Sequence, residues 1–200
     1  MKKDGFYAER IRPVVVMAVL TIICISIVSG IHLSTQDLVI ANEGLMLKKA
    51  VLYAGGIELP GSNAEINALY DQRVEEDGEL FRISGPGGMI ESWAFLINGP
   101  GLWGEIEMVA AFNSDFSRFT GVEFTKQNET PGLGARITED WFKQQLRGKR
   151  FPLTMAAEGM SAPADDQIDS ITGATRTSGY VLQLFNEAGK RASEYEKEVR

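Results

Sequence analysis

The chain has 200 residues, of which 44% are hydrophobic, so it can form one domain of ordinary size with its own core but not two large domains. The formal net charge is −7, which excludes a basic nucleic-acid-binding surface. A single cysteine and a single histidine exclude an internal disulfide and leave too few residues for an iron–sulfur cluster, a thiolate metal site or a Ser-His-Asp hydrolase, so we predict no metal and no catalytic residue.

The N-terminus combines a net basic flank at 1–12 with an uncharged apolar run at 13–33. About 20 apolar residues span a bilayer as a helix, so we predict a single transmembrane helix at 13–33 in contact with membrane lipid. The basic flank favours a cytoplasmic N-terminus. Residues 34–200 are therefore predicted to form one domain on the periplasmic or extracellular side of the cytoplasmic membrane.

A cleaved signal peptide is the alternative for the same segment. Val28-Ser29-Gly30 contains small residues of the kind that a signal peptidase accepts. The apolar run is longer than a typical signal core of about 7–15 residues, which favours a retained anchor.

Two helical patterns follow the anchor. Residues 35–53 keep helical spacing until Gly55-Gly56, and this segment either continues the membrane helix or forms its own. Ser62 and Glu65 form a capping box that predicts a short helix leading to a turn at Asp77-Gly78.

Three segments rich in β-branched and aromatic residues predict strands at 93–97, 106–112 and 119–125. A hairpin loop at 113–117 makes at least part of the sheet antiparallel. The fold class is therefore α+β, with an antiparallel or mixed sheet flanked by helices.

The last third of the chain predicts two helices around one strand. Thr138 is a candidate N-cap for a helix that holds Trp141, Phe142 and Leu146, and a strand is expected at 151–155. From Ser178 onward, helical spacing predicts an amphipathic closing helix with these apolar residues: Val181, Leu184, Phe185, Ala188, Ala192 and Tyr195.

The segment 169–178 concentrates hydroxyl side chains around Gly173-Ala174, immediately before the closing helix. Hydroxyl groups together with the unpaired N–H groups of a helix's first turn bind anions such as phosphate, and Gly173 lets the backbone approach closely. The alternative is that Thr177 or Ser178 is a simple N-cap after a turn.

A second segment, Glu129-Thr130-Pro131-Gly132-Leu133-Gly134, has two glycines around one leucine. Such a backbone lets main-chain groups approach a planar ligand, although the same residues are also typical of an ordinary turn. A third glycine-rich patch, 99–104, includes Trp103, which is a candidate either for packing on a planar ligand or for the core.

Together these motifs resemble the covalent-FMN subunits of membrane complexes, namely the C subunit of sodium-translocating NADH:quinone reductases (Nqr) and the G subunit of Rnf complexes. The segment 169–178 looks like their flavinylation motif, Asp-x-x-(Ser/Thr)-Gly-Ala-Thr-x-(Ser/Thr), and the segment 129–134 matches their other hallmark loop. With the anchor, the resemblance covers nearly the whole chain. The Leu-Trp pair of the third patch favours the reductase branch, whereas the short length favours Rnf.

The resemblance implies that a flavin transferase uses FAD to attach FMN to Thr175 through a phosphoester. It implies cofactor-binding roles for two sets of residues. Around the phosphate these are Thr172, Gly173, Ala174, Thr177 and Ser178, with Asp169 assisting the modification. Around the ring they are Glu129, Thr130, Gly132, Leu133 and Gly134. Arg176 is either a phosphate partner or an exposed surface residue.

The implied function is electron transfer through FMN as one subunit of an ion-translocating Rnf/Nqr-type complex, with the other subunits as partners. A single membrane helix without an intramembrane carboxylate offers no ion path, and no dinucleotide fingerprint is present, so ion transport and NADH oxidation are assigned to those partners. Two alternatives stay open: a stand-alone anchored flavoprotein reductase, and a sensing domain without redox work.

Overall fold

The structure is a computed structural model that describes residues 4–157, 159 and 164–199. Contacts divide the chain into two units, Met1–Gly44 and Leu45–Arg200. The second unit holds the folded domain, and its elements position the candidate site.

Helix α1 runs without interruption from Asp4 to Ala54. It contains the predicted transmembrane segment 13–33, and the helical pattern at 35–53 continues the same helix. Its most apolar window has a mean hydropathy of 2.8 and is not buried in the structure, so one helix is long and apolar enough to span a membrane. The hydroxyl of Ser26 donates to the Ile22 carbonyl at 2.7 Å, which satisfies the hydroxyl within the helix, as a bilayer requires.

The folded domain contains three further helices, seven strands and one 3-10 helix among the described residues. In chain order these are α2 (Asn63–Arg73), β1 (Val74–Asp77), β2 (Leu80–Ser84), β3 (Ile90–Pro100), β4 (Glu105–Asn113), β5 (Phe119–Lys126), the 3-10 helix (Gly134–Thr138), α3 (Asp140–Gln144), β6 (Thr154–Ala156), β7 (Gln167–Asp169) and α4 (Thr175–Val199).

Strands β1 to β5 form one antiparallel sheet in sequence order, and β6 pairs with β7 in a separate parallel pair. The three predicted strands correspond to β3, β4 and β5, and the predicted hairpin loop joins the last two. The prediction of an α+β fold is therefore confirmed, and its main sheet is antiparallel.

Both faces of this sheet are buried, as the period of two along β4 shows. Met108, Ala110 and Phe112 point into a core shared with α4, while Val109 and Ala111 point toward α2 and the last turns of α1. Burying each large apolar side chain contributes roughly 1.5–3 kcal/mol, so the two cores fix the last turns of α1 and helix α4 on opposite faces of the sheet within the folded domain.

Helix α4 is the amphipathic closing helix that the sequence predicts. Five of its predicted apolar residues are buried against the sheet and Tyr195 is half-buried; the five are Val181, Leu184, Phe185, Ala188 and Ala192. The Phe185 ring lies 6.3 Å from the Phe124 ring and 6.4 Å from the Phe142 ring, measured between centroids. This packing holds the N-terminal end of α4 at a fixed place beside the sheet.

The last turn of α1 contacts helix α3. Gln144 Nε2 donates to the Tyr53 hydroxyl at 3.1 Å, and Lys143 Nζ lies 4.8 Å from the Tyr53 ring centroid. Lys143 also pairs with Glu123 at 2.8 Å and with Asp140 at 3.2 Å. Burial alone would lower the pKa of Lys143, but its hydrogen bonds and charge pairing with these carboxylates outweigh burial and raise it above the usual value.

The capping box of α2 is confirmed in its first half, since Ser62 Oγ accepts the Glu65 N–H at 3.3 Å and Ser62 is the N-cap. The cap predicted at Thr138 is wrong. Thr138 ends the 3-10 helix and its hydroxyl donates to the Ala135 carbonyl at 2.9 Å, so Glu139 becomes the N-cap of α3.

The strand predicted at 151–155 is also wrong in its bounds, because only Thr154–Ala156 is extended in a ladder. Asn186 on α4 explains the shorter strand: its side chain accepts the Leu153 N–H at 2.6 Å and donates to the Leu153 carbonyl at 3.0 Å. The backbone of Leu153 is thus paired with a side chain instead of a neighbouring strand.

Strands β1 and β2 were not predicted, although the turn between them was. The sequence of β1 is dominated by charge, and β1 is an edge strand whose last three residues are exposed. Only the alternation of buried Phe81 and Ile83 around Arg82 marks the second strand. Charged edge strands of this kind limit pairing with other chains, at the expense of a clear sequence pattern.

Candidate functional site

The candidate site surrounds the first residue of α4. Thr175 begins this 25-residue helix, three residues earlier than the sequence predicts, and the Ser178 N–H donates to the Ala174 carbonyl at 2.9 Å. The alternative in which Thr177 or Ser178 is the N-cap is therefore wrong. The N–H groups of 175–177 precede the first complete helical turn, where they point away from the helix and attract negative charge.

The Thr175 side chain is exposed, and no hydrogen bond from it is present within the part of the chain that the structure describes. Its neighbours are held in place. The Ala174 N–H donates to the Ile171 carbonyl at 3.0 Å, and the Ile171 N–H donates to Ser178 Oγ at 3.0 Å. The turn before α4 is thus fixed from both sides, while the hydroxyl of Thr175 faces solvent.

Gly173 shapes this turn through a backbone conformation that few other residues adopt. Its φ is +79°, in the left-handed region that favours glycine. A methyl group built on Gly173 would also lie 3.1 Å from Leu133 Cδ2, so the two predicted motifs are in contact here. The fold therefore brings the segment 169–178 and the loop 129–134 to the same place.

Glu129 connects these two motifs to the third glycine-rich patch. Its side chain is 4% exposed, and Thr177 Oγ1 donates to its Oε2 at 2.5 Å. The other oxygen, Oε1, accepts the Leu102 N–H at 2.7 Å and the Trp103 N–H at 3.2 Å. One buried carboxylate thus joins three segments that are far apart in the sequence.

Two glycines make room for this carboxylate. A methyl group on Gly134 would lie 2.7 Å from both Glu129 Oε2 and Thr177 Oγ1, and one on Gly101 would lie 2.5 Å from Glu129 Oε1. Neither oxygen can retreat without losing its hydrogen bonds. Both positions therefore require glycine for close approach.

Three large apolar side chains are exposed around this junction. Trp103 is 66% exposed, Leu133 is 43% exposed and Leu102 is 38% exposed, although the backbones of Leu102 and Trp103 are fixed by Glu129. The alternative that Trp103 packs in the core is wrong. An apolar surface on rigid backbone beside an exposed hydroxyl is suited to a flat aromatic group that is attached at one end.

The structure separates the predicted site residues into two groups. Those that face solvent are Thr172, Gly173, Thr175, Thr130, Gly132 and Leu133, and those that are buried are Ala174, Thr177, Ser178, Glu129 and Gly134. Arg176 is exposed, so its two interpretations both stay open. The hydroxyls of Thr177 and Ser178 are already bonded within the protein, so the available donors at this helix end are the backbone N–H groups of 175–177 and not these two side chains.

The sequence analysis missed the junction between Glu129 and the backbone of Leu102 and Trp103. The available signal was the presence of three glycine-rich patches, but spacing alone does not show which side chain fills the gap between them. No group of three or more histidine, cysteine, aspartate or glutamate side chains is arranged to hold a metal ion in residues 4–157, 159 and 164–199.

Comparison with known proteins shows which protein family the segment around Glu129 and Thr175 resembles. Residues 101–190 match the family model of the FMN-binding domain, and this range contains Glu129 and its three hydrogen-bond partners, Leu102, Trp103 and Thr177. The segment is therefore similar to FMN-binding domains.

The relatives are subunits of ion-translocating oxidoreductases. The chain is 34% identical over 116 residues to the C subunit of the Na⁺-translocating NADH-quinone reductase of Yersinia pestis, a match that covers 54% of this chain and 43% of that protein. It is 26% identical to the G subunit of the ion-translocating oxidoreductase complex of Methanosarcina acetivorans over 90% of this chain and 93% of that protein. The resemblance to the family of the Nqr C subunit and the Rnf G subunit is confirmed, while the Yersinia protein is matched over less than half of its length.

Solved structures confirm the fold. The C subunit of the Na⁺-translocating NADH-quinone reductase from Parabacteroides distasonis superposes with a TM-score of 0.66 at 22% identity, covering 76% of this chain and 92% of that one. The Shewanella oneidensis NqrC structure superposes with a TM-score of 0.65 at 18% identity, with coverage of 76% and 96%.

Proposed function

We propose that this chain is a membrane-anchored electron carrier that bears FMN on Thr175 through a phosphoester, as one subunit of an ion-translocating oxidoreductase complex of the Nqr or Rnf type. The observation that carries the proposal is the exposed hydroxyl of Thr175 at the first residue of α4, which makes no hydrogen bond within the described residues and lies in the segment that matches the FMN-binding domain model. FMN supplies the capacity to accept and release electrons.

The surroundings of Thr175 fit a phosphate ester. The backbone N–H groups of 175–177 stand at the positive end of a 25-residue helix, where an anion is stabilised by hydrogen bonds and by the helix dipole. Gly173 has no side chain that would obstruct the approach. Thr177 and Ser178 are buried with their hydroxyls engaged, whereas Thr175 is exposed and makes no side-chain hydrogen bond within the described residues.

The attachment step conserves atoms without a change of oxidation state. Oxygen Oγ of Thr175 forms a bond to the phosphorus of the FMN half of FAD, the bond from that phosphorus to the bridging oxygen breaks, and AMP leaves. The hydroxyl proton is transferred to a base of the flavin transferase. A covalent bond keeps the cofactor on the protein where free FMN is scarce, since reversible occupancy would fall with the free concentration.

The three exposed apolar side chains give the flavin ring a surface beside its attachment point. Leu133 is in contact with the turn at Gly173, and Leu102 and Trp103 lie on the backbone fixed by Glu129. Stacking on these residues would remove apolar area from water, and the backbone N–H groups of the glycine-rich loops would adjust the flavin potential.

Helix α1 is proposed as the permanent anchor, with its N-terminus in the cytoplasm and the folded domain on the opposite side of the membrane. Its window of high hydropathy is unburied in the structure, and the named relatives are subunits of translocating complexes. The donor, the acceptor and the ion path are assigned to the partner subunits.

The function is tested in membranes of cells that contain the other subunits and the flavin transferase, with the chain present as wild type, Thr175→Ser or Thr175→Ala. Electron flow from the physiological reductant to the membrane acceptor is measured together with the amount of chain in the membrane. We expect Thr175→Ala to abolish flow at an unchanged membrane level, and Thr175→Ser to retain part of it because a hydroxyl remains.

Unchanged flow in Thr175→Ala would contradict the proposal and favour a sensing domain. The purified flavinylated chain distinguishes the carrier from a stand-alone reductase. An electron carrier is reduced once by an added reductant without sustained turnover, whereas a reductase alone keeps reducing a small acceptor.

A further inference from the structure

The buried Glu129 side chain is acidic, although its hydrogen bonds do not require an acidic group. It accepts two backbone N–H groups on Oε1 and the Thr177 hydroxyl on Oε2. A glutamine would make the same three contacts, because its oxygen accepts both N–H groups and its amide nitrogen donates to the rotatable Thr177 hydroxyl. The geometry alone therefore does not explain why this position holds an acidic side chain.

Burying a carboxylate costs free energy that burying an amide does not. The structure shows that this carboxylate is 4% exposed and that no basic side chain bonds to it among the described residues. Its hydrogen-bond partners are all neutral groups. Its negative charge is consequently screened little by water or by a counter-charge.

The Glu129 carboxylate lies at the N-terminal end of α4, because it accepts a hydrogen bond from Thr177. Thr177 lies two residues after Thr175 on the first turn of this helix. The helix end presents a partial positive charge, which by itself would favour addition of electrons to a nearby flavin. A carboxylate at the same helix end opposes that effect. Electrons added to a group beside a fixed negative charge are less stable, so the group is harder to reduce.

We propose that Glu129 is a positioning residue that also lowers the reduction potential of the flavin carried on Thr175. The inference rests on the proposed function, since it requires flavin on this residue. It assigns two separable roles to one side chain: hydrogen bonds that join the three loops, and a charge that sets the potential.

The test compares three full-length flavinylated chains in detergent: wild type, Glu129→Gln and Glu105→Gln. The first substitution removes the buried charge and keeps the hydrogen bonds, and the second removes one charge from an exposed side chain at the start of β4. Intact mass first establishes that each chain carries FMN. Flavin absorbance is then followed during a titration with a redox dye, and thermal melting reports whether the fold is kept.

We expect Glu129→Gln to melt near the wild-type temperature and to raise the potential, with the ratio of reduced to oxidised flavin at a fixed ambient potential increasing about tenfold, or about 30 mV for a two-electron couple. Glu105→Gln should shift this ratio less than twofold, because water and salt screen an exposed charge.

A flavinylated Glu129→Gln chain with an unshifted or lowered potential would overturn this inference and leave the electron carrier intact. A Glu129→Gln chain that melts normally but carries no FMN would also overturn it, because the amide would then fail to preserve the site. Absence of FMN from the wild-type chain would overturn both the inference and the proposed function.

Discussion

Helices α1 and α4 are both rich in apolar side chains, but they require different environments. The apolar part of α1 is hydrophobic around its whole circumference, and its side chains are exposed in the structure. Helix α4 confines its apolar residues to one side, and that side is covered by the sheet. A helix that is apolar all round is suited to lipid, whereas an amphipathic helix is suited to the surface of a protein core. The difference explains how one short chain combines a helix suited to lipid with a folded domain.

The largest effect is expected from substitutions in the apolar part of α1, which test whether this helix is suited to lipid. Placing lysine at Val19 and Ile23 puts two charges on one face of α1, and each costs about 2.5–3.5 kcal/mol at the centre of a bilayer helix. We expect the double variant to lose most of its carbonate-resistant membrane association. Lysine at Gln36 and Asn42, outside the predicted span, adds the same charge as a control. Full retention of the Val19/Ile23 variant in the membrane would show that α1 is not the anchor.

The packing of α4 against the sheet is tested by Phe185→Ala. Phe185 is fully buried against the sheet, so its truncation should reduce the free energy of unfolding by about 3–5 kcal/mol. Gln183→Ala on the exposed side of the same helix should change it by less than about 0.5 kcal/mol. Chemical unfolding of the full chain in detergent provides both values. Equal effects of the two variants would contradict the one-sided packing of α4.

An intermediate effect is expected where the end of α1 meets α3. Lys143→Met removes the cation that pairs with Glu123 in a mostly buried place, and the lost hydrogen bond between charged groups should cost about 2 kcal/mol. The double variant Lys143→Met with Glu123→Gln should recover part of this loss, because no carboxylate is then left without its partner. Because the pKa of Lys143 is raised in the folded state, the stabilisation is present below the ordinary lysine pKa and is lost as the pH rises through the folded value. A loss that is independent of the Glu123 substitution would contradict the pairing.

The smallest effects compare two helix starts. Ser62 caps α2 through its side chain, so Ser62→Ala should cost about 1 kcal/mol. Thr175 makes no side-chain hydrogen bond within the described residues, so Thr175→Ala should change the stability of the unmodified chain by less than about 0.5 kcal/mol. Thermal melting of both variants measures the contrast. A large loss in Thr175→Ala would mean that this hydroxyl has a structural role.

The sequence predicted the elements whose pattern is local. Strands β3, β4 and β5 are rich in β-branched and aromatic residues, and α4 shows a repeated apolar face, so these elements were found with only small errors in their ends. The edge strand β1 was missed because its exposed residues are charged, and the strand around Leu153 was misjudged because Asn186, 33 residues away, takes its backbone hydrogen bonds. Such pairing depends on the tertiary fold and leaves no local signature.

The same limit applies to the candidate site. The hydroxyl-rich turn and the glycine-rich loop were recognisable, and the fold brings them into contact. Their connection through Glu129 was not predictable, because its partners Leu102 and Trp103 contribute backbone N–H groups that any residue possesses. Only the fold shows that the glycines at 101 and 134 make room for a carboxylate.

The attachment of FMN to Thr175 is tested most directly by intact-mass analysis of the chain produced with and without a flavin transferase, together with Thr175→Ala and the neighbouring Thr172→Ala. The proposal predicts an added mass of FMN less one water in the wild type and in Thr172→Ala, only when the transferase is present, and no added mass in Thr175→Ala. An adduct that persists in Thr175→Ala, or its absence from the wild type in a host whose transferase modifies a known substrate, would contradict the covalent carrier.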